Sequence, residues 1–184
     1  MSKTKRIAYR ILLVALVLSL ALMAGQARDY KEGIGPYEVS FKLPDEIVSL
    51  VAMNKSISSS ESLQGTPCDV YSLTLNQKDK PVDMGFGKLW IKHYVVPVVG
   101  DLNAASELKK GDGLDMSYTT CYSGHRAIDG HDGILVNCLG NSDGSLLCYN
   151  FDYQLDNQTT VSGFMHLGWD TGMPFLESLH VTEA

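Results

Sequence analysis

The stretch SGHRAIDGHDGILVNCLGNSDGSLLC, residues 123–148, leaves this chain little choice of local structure. Two groups of turn formers, Asp129-Gly130-His131-Asp132-Gly133 and Asn141-Ser142-Asp143-Gly144, sit there close together. The runs between and around them are too short for an ordinary helix and suit strands. Glycine after aspartate supplies the positive φ that tight hairpin turns require. The stretch therefore reads as two successive hairpins. If the second loop is Ser142, Asp143 and Gly144, then Asn141 faces Ser145, Leu139 faces Leu147 and Cys138 faces Cys148. Such a pair falls in the closer, non-hydrogen-bonded class, with Cα atoms about 4.5 Å apart. Disulfides accept Cα separations of about 4.4–6.8 Å. On that loop type the turn predicts a Cys138–Cys148 bridge, and Cys68–Cys121 follows by elimination among three possible pairings.

Alternation of polarity extends the strand reading along the chain. YEVSFKL (37–43) puts Tyr37, Val39, Phe41 and Leu43 on one face, and CDVYSLTL (68–75) puts Tyr71, Leu73 and Leu75 inward. EIVSLVAM (46–53), GKLWIKHYVVPV (87–98) and TTVSGFMHL (159–167) read as further strands, with Leu89, Ile91 and His93 on one side of the second. In LLCYNFDYQL the apolar face is Leu147, Tyr149, Phe151, Tyr153 and Leu155, which leaves Cys148 on the other face. All four cysteines fall off the aromatic face by the same count. RDYKEGIGP (28–36) reads as a polar lead-in, and the serine-rich NKSISSSESLQGTP (54–67) as a loop. Helical spacing occurs at 101–111, capped by Asp101 and stopped by Gly111, and again in WDTGMPFLESLHV, capped by Asp170 or Thr171. The fold class expected is α+β: an antiparallel sheet packed by one or two helices and stapled by disulfides.

The N-terminal segment bounds where the chain works. Lys3, Lys5, Arg6 and Arg10 precede an apolar run from Ile11 to Ala24, followed by small residues up to Ala27. As a helix that run rises about 21 Å, short of the roughly 30 Å hydrocarbon core. The pattern is that of a secretory signal peptide over residues 1–27, cleaved after Ala27. The alternative is an uncleaved anchor over Ile7–Ala24. Residues 28–36 then lead into one domain over 37–184. Four of the fifteen basic residues and none of the twenty-one acidic ones lie in the leader, so the mature part carries eleven basic groups and a net charge of −10. That charge disfavours nucleic acid and anionic lipid. Any membrane contact is expected only through an uncleaved leader. Four cysteines in an exported chain predict two disulfides, at Cys68, Cys121, Cys138 and Cys148.

Chemical signals are sparse. His125, His131, Asp129 and Asp132 are residue types that bind zinc or similar ions. Yet they sit in a turn region with no i, i+4 register, and turns favour aspartate and glycine for conformational reasons alone. His93, His166 and His180 read as hydrogen-bonded structural histidines, and Trp90 and Trp169 as core or rim packing. There is no G-x-S-x-G elbow and no P-loop, and no catalytic residue or cofactor is expected. Asn54-Lys55-Ser56 and Asn157-Gln158-Thr159 are N-glycosylation acceptor patterns at Asn54 and Asn157, both in expected loops.

The segments YEVSFKLP, GTPCDVYSLTL, HRAIDGHDGILV and WDTGMPFLESLHV together resemble small secreted proteins of methanogenic archaea. The order of elements, with an IDG-x-x-G hairpin near the middle, is similar to the PsbP-like fold. That resemblance implies a non-catalytic accessory or binding role and carries over no site residue. The function expected is a secreted or cell-surface binding or accessory module, with a cell-envelope partner among its possible contacts. The alternatives are a metal-binding protein or metal-dependent hydrolase using His125 and His131, and a structural component of the envelope.

Overall fold

The computed structural model describes residues 27–61, 65–78, 85–98, 119–140 and 142–184. In chain order the elements are β1 (Ala27–Ile34), β2 (Tyr37–Pro44), α1 (Asp45–Val48), β3 (Val51–Glu61), β4 (Pro67–Gln77) and β5 (Gly85–Tyr94). Then follow β6 (Thr119–Ile128), β7 (His131–Gly140), β8 (Leu146–Gln154), β9 (Thr159–Met165), α2 (Trp169–Ser178) and β10 (His180–Glu183). Two antiparallel sheets result. One has the order β1-β2-β10, the other β3-β4-β5-β9-β8-β7-β6. The large sheet is two meanders, β3-β4-β5 and β6-β7-β8-β9, sewn together where β9 pairs with β5.

The core lies between one face of the large sheet, the small sheet and α2. Tyr37, Val39, Phe41 and Leu43 are all buried there, as alternation predicts. They meet Leu73, Leu75, Leu89 and Ile91, together with Tyr149, Phe151 and Tyr153. The Phe41 ring packs on Phe175 of α2 with centroids 4.8 Å apart, and Ser178 Oγ at the end of that helix accepts the Lys42 amide at 2.7 Å. The Tyr149 hydroxyl, fully buried, donates to the Gly172 carbonyl at 2.7 Å. Each hydroxyl is taken into the core with a partner, so its desolvation is offset.

The antiparallel sheet of the expected class is present, but the helical part is small, so the fold is mostly β. Several local expectations change. Residues 28–36 are no lead-in: they form most of β1, turning at Gly35-Pro36 into β2. EIVSLVAM is broken, because Asp45–Val48 makes one helical turn after Pro44 and the strand starts only at Val51. The serine-rich run through Glu61 is strand and not loop. It is an edge strand, so its polar side chains stay in water while its backbone pairs with β4. Ser56 and Ser72 hydroxyls share a hydrogen bond of 2.7 Å across that pair. Helix α2 is preceded by Gly168 and makes no side-chain cap, so neither Asp170 nor Thr171 has the capping role. The helix expected at 101–111 lies outside the described residues.

Gly163 in β9 shows why the seam between the meanders tolerates a residue without a side chain. A Cβ there would stand 2.6 Å from the Phe151 ring and 2.9 Å from the Lys88 carbonyl oxygen. The ring lies over the glycine and seals the centre of the sheet. Gly163→Ala is expected to cost about 1–3 kcal/mol by overpacking, read as a lower urea midpoint with an unchanged m-value.

Candidate functional site

The face of the large sheet turned away from the core carries most of the side chains the sequence singles out. One row crosses all seven strands: Ser56, Ser72, Trp90, Ser162, Asp152, Ile134 and His125 oppose one another in turn. The neighbouring row runs Asn54, Thr74, Lys88, Phe164, Asn150, Val136 and Ser123. Hydroxyls, amides, a few rings and the charged or ionisable Lys88, Asp152 and His125 share this face with Ile134 and Val136, and Ser72, Asp152, Ile134 and Val136 are buried in it. Trp90 and Phe164 are half-buried, with ring centroids 5.6 Å apart, and Lys88 Nζ lies 5.2 Å from the indole centroid. Phe164 in turn meets His166 at 5.2 Å. Half-buried rings such as Trp90 and Phe164 have one side that packs and another that can meet a partner.

A third row holds the cysteines. The Asp129-Gly130 turn sets its first step. Asp129 has φ 52° and Gly130 φ 78°, the two positive values of a type I′ hairpin. Ile128 therefore faces His131, and an unbroken register carries the pairing back to Cys121 opposite Cys138. The dense turn-former group narrows to these two residues, with His131 and Asp132 already in β7. The second hairpin sets the next step by a different route from the one expected. Gly140 N–H donates to Ser145 O at 2.8 Å, so the hairpin closes on Gly140 opposite Ser145 in place of the expected Asn141. Gly144 has the expected positive φ, 68°. The Asp143 carboxylate accepts from the Ser145 amide and hydroxyl at 3.0 and 2.8 Å, which holds its pKa below the ordinary value. Leu139 then faces Leu146, and a bulge at Leu147 brings Cys138 opposite Cys148. The same bulge turns Leu147 out of the apolar face, leaving it 47% exposed.

Cys138 thus has a cysteine on either side, and it bonds the other one. The disulfide is Cys121–Cys138, which corrects both expected pairings, Cys138–Cys148 and Cys68–Cys121. The cross-strand register of Cys138 and Cys148 holds, but the bulge beside it twists β8, whereas the β6–β7 ladder is regular. Elimination then fails for Cys68, which lies buried on β4 beside Val70 and Tyr94. Cys148 keeps its thiol and packs against the Ile134–Val136–Cys138 cluster from the side opposite Cys121. Burial pushes that thiol's pKa up. All four sulfurs lie off the core face, as alternation predicts.

The four candidate metal ligands part company. His125 Nδ1 is 3.4 Å from Asp132 Oδ1, both well exposed. His131 stacks on Tyr153, centroids 5.5 Å apart. Asp129 turns inward, its side chain only 5% exposed. It accepts from Tyr153 OH at 3.0 Å and the Val181 amide at 2.8 Å, and lies 2.6 Å from His180 Nδ1. Among the described residues no group of three His, Cys, Asp or Glu side chains is placed to hold a metal ion. Sequence reading missed this tie because β10 and the hairpin are fifty residues apart in the chain. The only signal was an aspartate opening a turn. Of the other histidines, His93 and His180 have hydrogen-bond partners, and His166 is exposed beside the Phe164 ring. His93 Nδ1 lies 3.1 Å from both Tyr37 OH and Thr159 Oγ1, a small polar triangle between the two sheets. Desolvation there raises the Tyr37 pKa. Asn54 stands on the edge strand β3, contrary to its expected loop, while Asn157 is exposed in the β8–β9 turn. Among the described residues no helix is long and apolar enough to cross a membrane. No family model, curated protein or solved structure matches the chain.

Asp129→Ala strands the Tyr153 hydroxyl and the Val181 amide. It is expected to cost about 2–5 kcal/mol, since each buried group left unsatisfied costs about 1–3. Asp132→Ala, at the exposed position, is expected to stay within about 0.5 kcal/mol of the parent. Urea titrations of the two variants provide the comparison. The shifted Cys148 thiol is expected to react with iodoacetamide more slowly at neutral pH than a free cysteine peptide, because the thiolate is the nucleophile. A rate equal to the peptide's contradicts this.

Proposed function

We propose that the chain works outside the cytosol as a disulfide-braced binding or accessory module, without catalysis of its own. The outer face of the large sheet is its contact surface. The observation that carries the reading is the Cys121–Cys138 bridge, which ties the edge strand β6 to its neighbour. Such crosslinks persist in oxidising compartments and are rare where thiols are kept reduced. The leader-like first 27 residues support the same location. The half-buried rings of Trp90 and Phe164, with Lys88 over the indole, support contact with a partner. The resemblance to secreted proteins of methanogenic archaea and to the PsbP-like order of elements agrees with an accessory role.

Cell fractionation followed by intact-mass measurement, with and without reductant, tests this reading. The expected product is recovered outside the cytosol, begins at Arg28 and gains the mass of two hydrogen atoms on reduction of its bridge. Retention with the envelope after washing indicates that the partner lies there. A cytosolic product that keeps residues 1–27 and has four alkylatable thiols overturns the proposal.

A further inference from the structure

Cys121, Cys138 and Cys148 of the outer face stand in one row on adjacent strands, with the bridged pair at one end and a thiol at the other. We propose that Cys148 attacks Cys138 and moves the bridge one strand along, from Cys121–Cys138 to Cys138–Cys148. Thiol–disulfide exchange is a displacement at sulfur, in which the attacking and leaving sulfurs occupy opposite sides of the central one. A row of three neighbouring strands supplies that arrangement, because Cys121 and Cys148 flank Cys138 from opposite sides. Cys148 packs against the same small cluster of Ile134, Val136 and Cys138 that Cys121 meets from its own side. Both steps of the row are register partners, so either bridge is reached without re-pairing the strands.

The exchange balances without an outside oxidant or reductant. Cys148 gives up its thiol proton and its sulfur bonds Cys138 Sγ. The Cys121–Cys138 bond breaks with its electron pair on Cys121 Sγ, which takes up a proton. One disulfide and one thiol are present before and after. The move changes the mechanics of the sheet. In one form the edge strand β6 is covalently tied to β7. In the other, β6 is held by its ladder alone and presents a half-buried thiol at the sheet edge. Cys68 takes no part, because it lies on β4, four strands from Cys148's immediate neighbour β7 and in a separate cluster with Val70 and Tyr94. This inference rests on the register of the cysteine row and not on the proposed location or role of the protein.

The test is disulfide mapping of the native, purified chain. The protein is incubated without added thiol or oxidant at mildly alkaline pH, quenched in acid, alkylated exhaustively under denaturing conditions and digested. Both bridged peptides, Cys121–Cys138 and Cys138–Cys148, are expected, with alkylation shared between Cys148 and Cys121. In Cys148→Ser the label on Cys121 is expected to vanish while the Cys121–Cys138 bridge remains. In Cys121→Ser, mild oxidation is expected to recover Cys138–Cys148 as the bridge. The proposal is overturned if the wild-type chain yields only Cys121–Cys138 with all of the shared label on Cys148. It is equally overturned if bridges to Cys68 appear alongside, since that is general scrambling. The wild-type map decides the matter even where a variant fails to fold.

Discussion

The Asp129-Gly130 turn is the constraint on which most else depends. Its two positive φ values fix a two-residue loop, and that loop fixes every pair between β6 and β7. A slip of one residue there would send Cys121, Ser123 and His125 to the opposite face. The same aspartate then leaves its hairpin and holds the end of the chain. Its carboxylate takes the Val181 amide, the Tyr153 hydroxyl and the His180 ring, joining the large sheet to the last strand of the small one. Turn geometry and sheet-to-sheet attachment are thus made by one residue.

A second polar contact joins the two sheets. Tyr37 comes from the small sheet, His93 and Thr159 from the large one, and all three polar atoms lie within 3.3 Å of one another. Around these polar ties the packing is aromatic: Tyr37 meets Tyr71 edge-on and Phe41 meets Phe175. Directional contacts set the orientation of the sheets, and non-directional burial supplies the greater part of the stabilisation. With the core face so committed, the other face of the large sheet is where the chain's cysteines, Trp90 and the amide side chains collect.

Much of this was legible from residue order. Period-2 alternation placed Tyr37 through Leu43, Tyr71 through Leu75 and Tyr149 through Tyr153 on the core face, and it placed every cysteine off it. The failures have identifiable causes. Serines 58 to 60 suggest a loop by composition, but an edge strand tolerates them because its outer groups remain solvated. RDYKEGI reads as polar, yet one hairpin with β2 is enough to make it a strand. Leu147 belongs to the apolar face by count and is displaced by a bulge that composition does not announce.

Alternation and turn chemistry, both properties of near neighbours in the chain, determined that the protein is built on an antiparallel sheet and that two successive hairpins lie in residues 123–148. The partner that Cys138 takes, the docking of Asp129 on β10 and the dispersal of His125, His131, Asp129 and Asp132 were decided by the tertiary structure alone. Local rules say which residue stands opposite which within a hairpin. They are silent on which of two flanking strands wins a bond, and on which distant segment arrives to satisfy a carboxylate, because those outcomes depend on how separate elements pack in space.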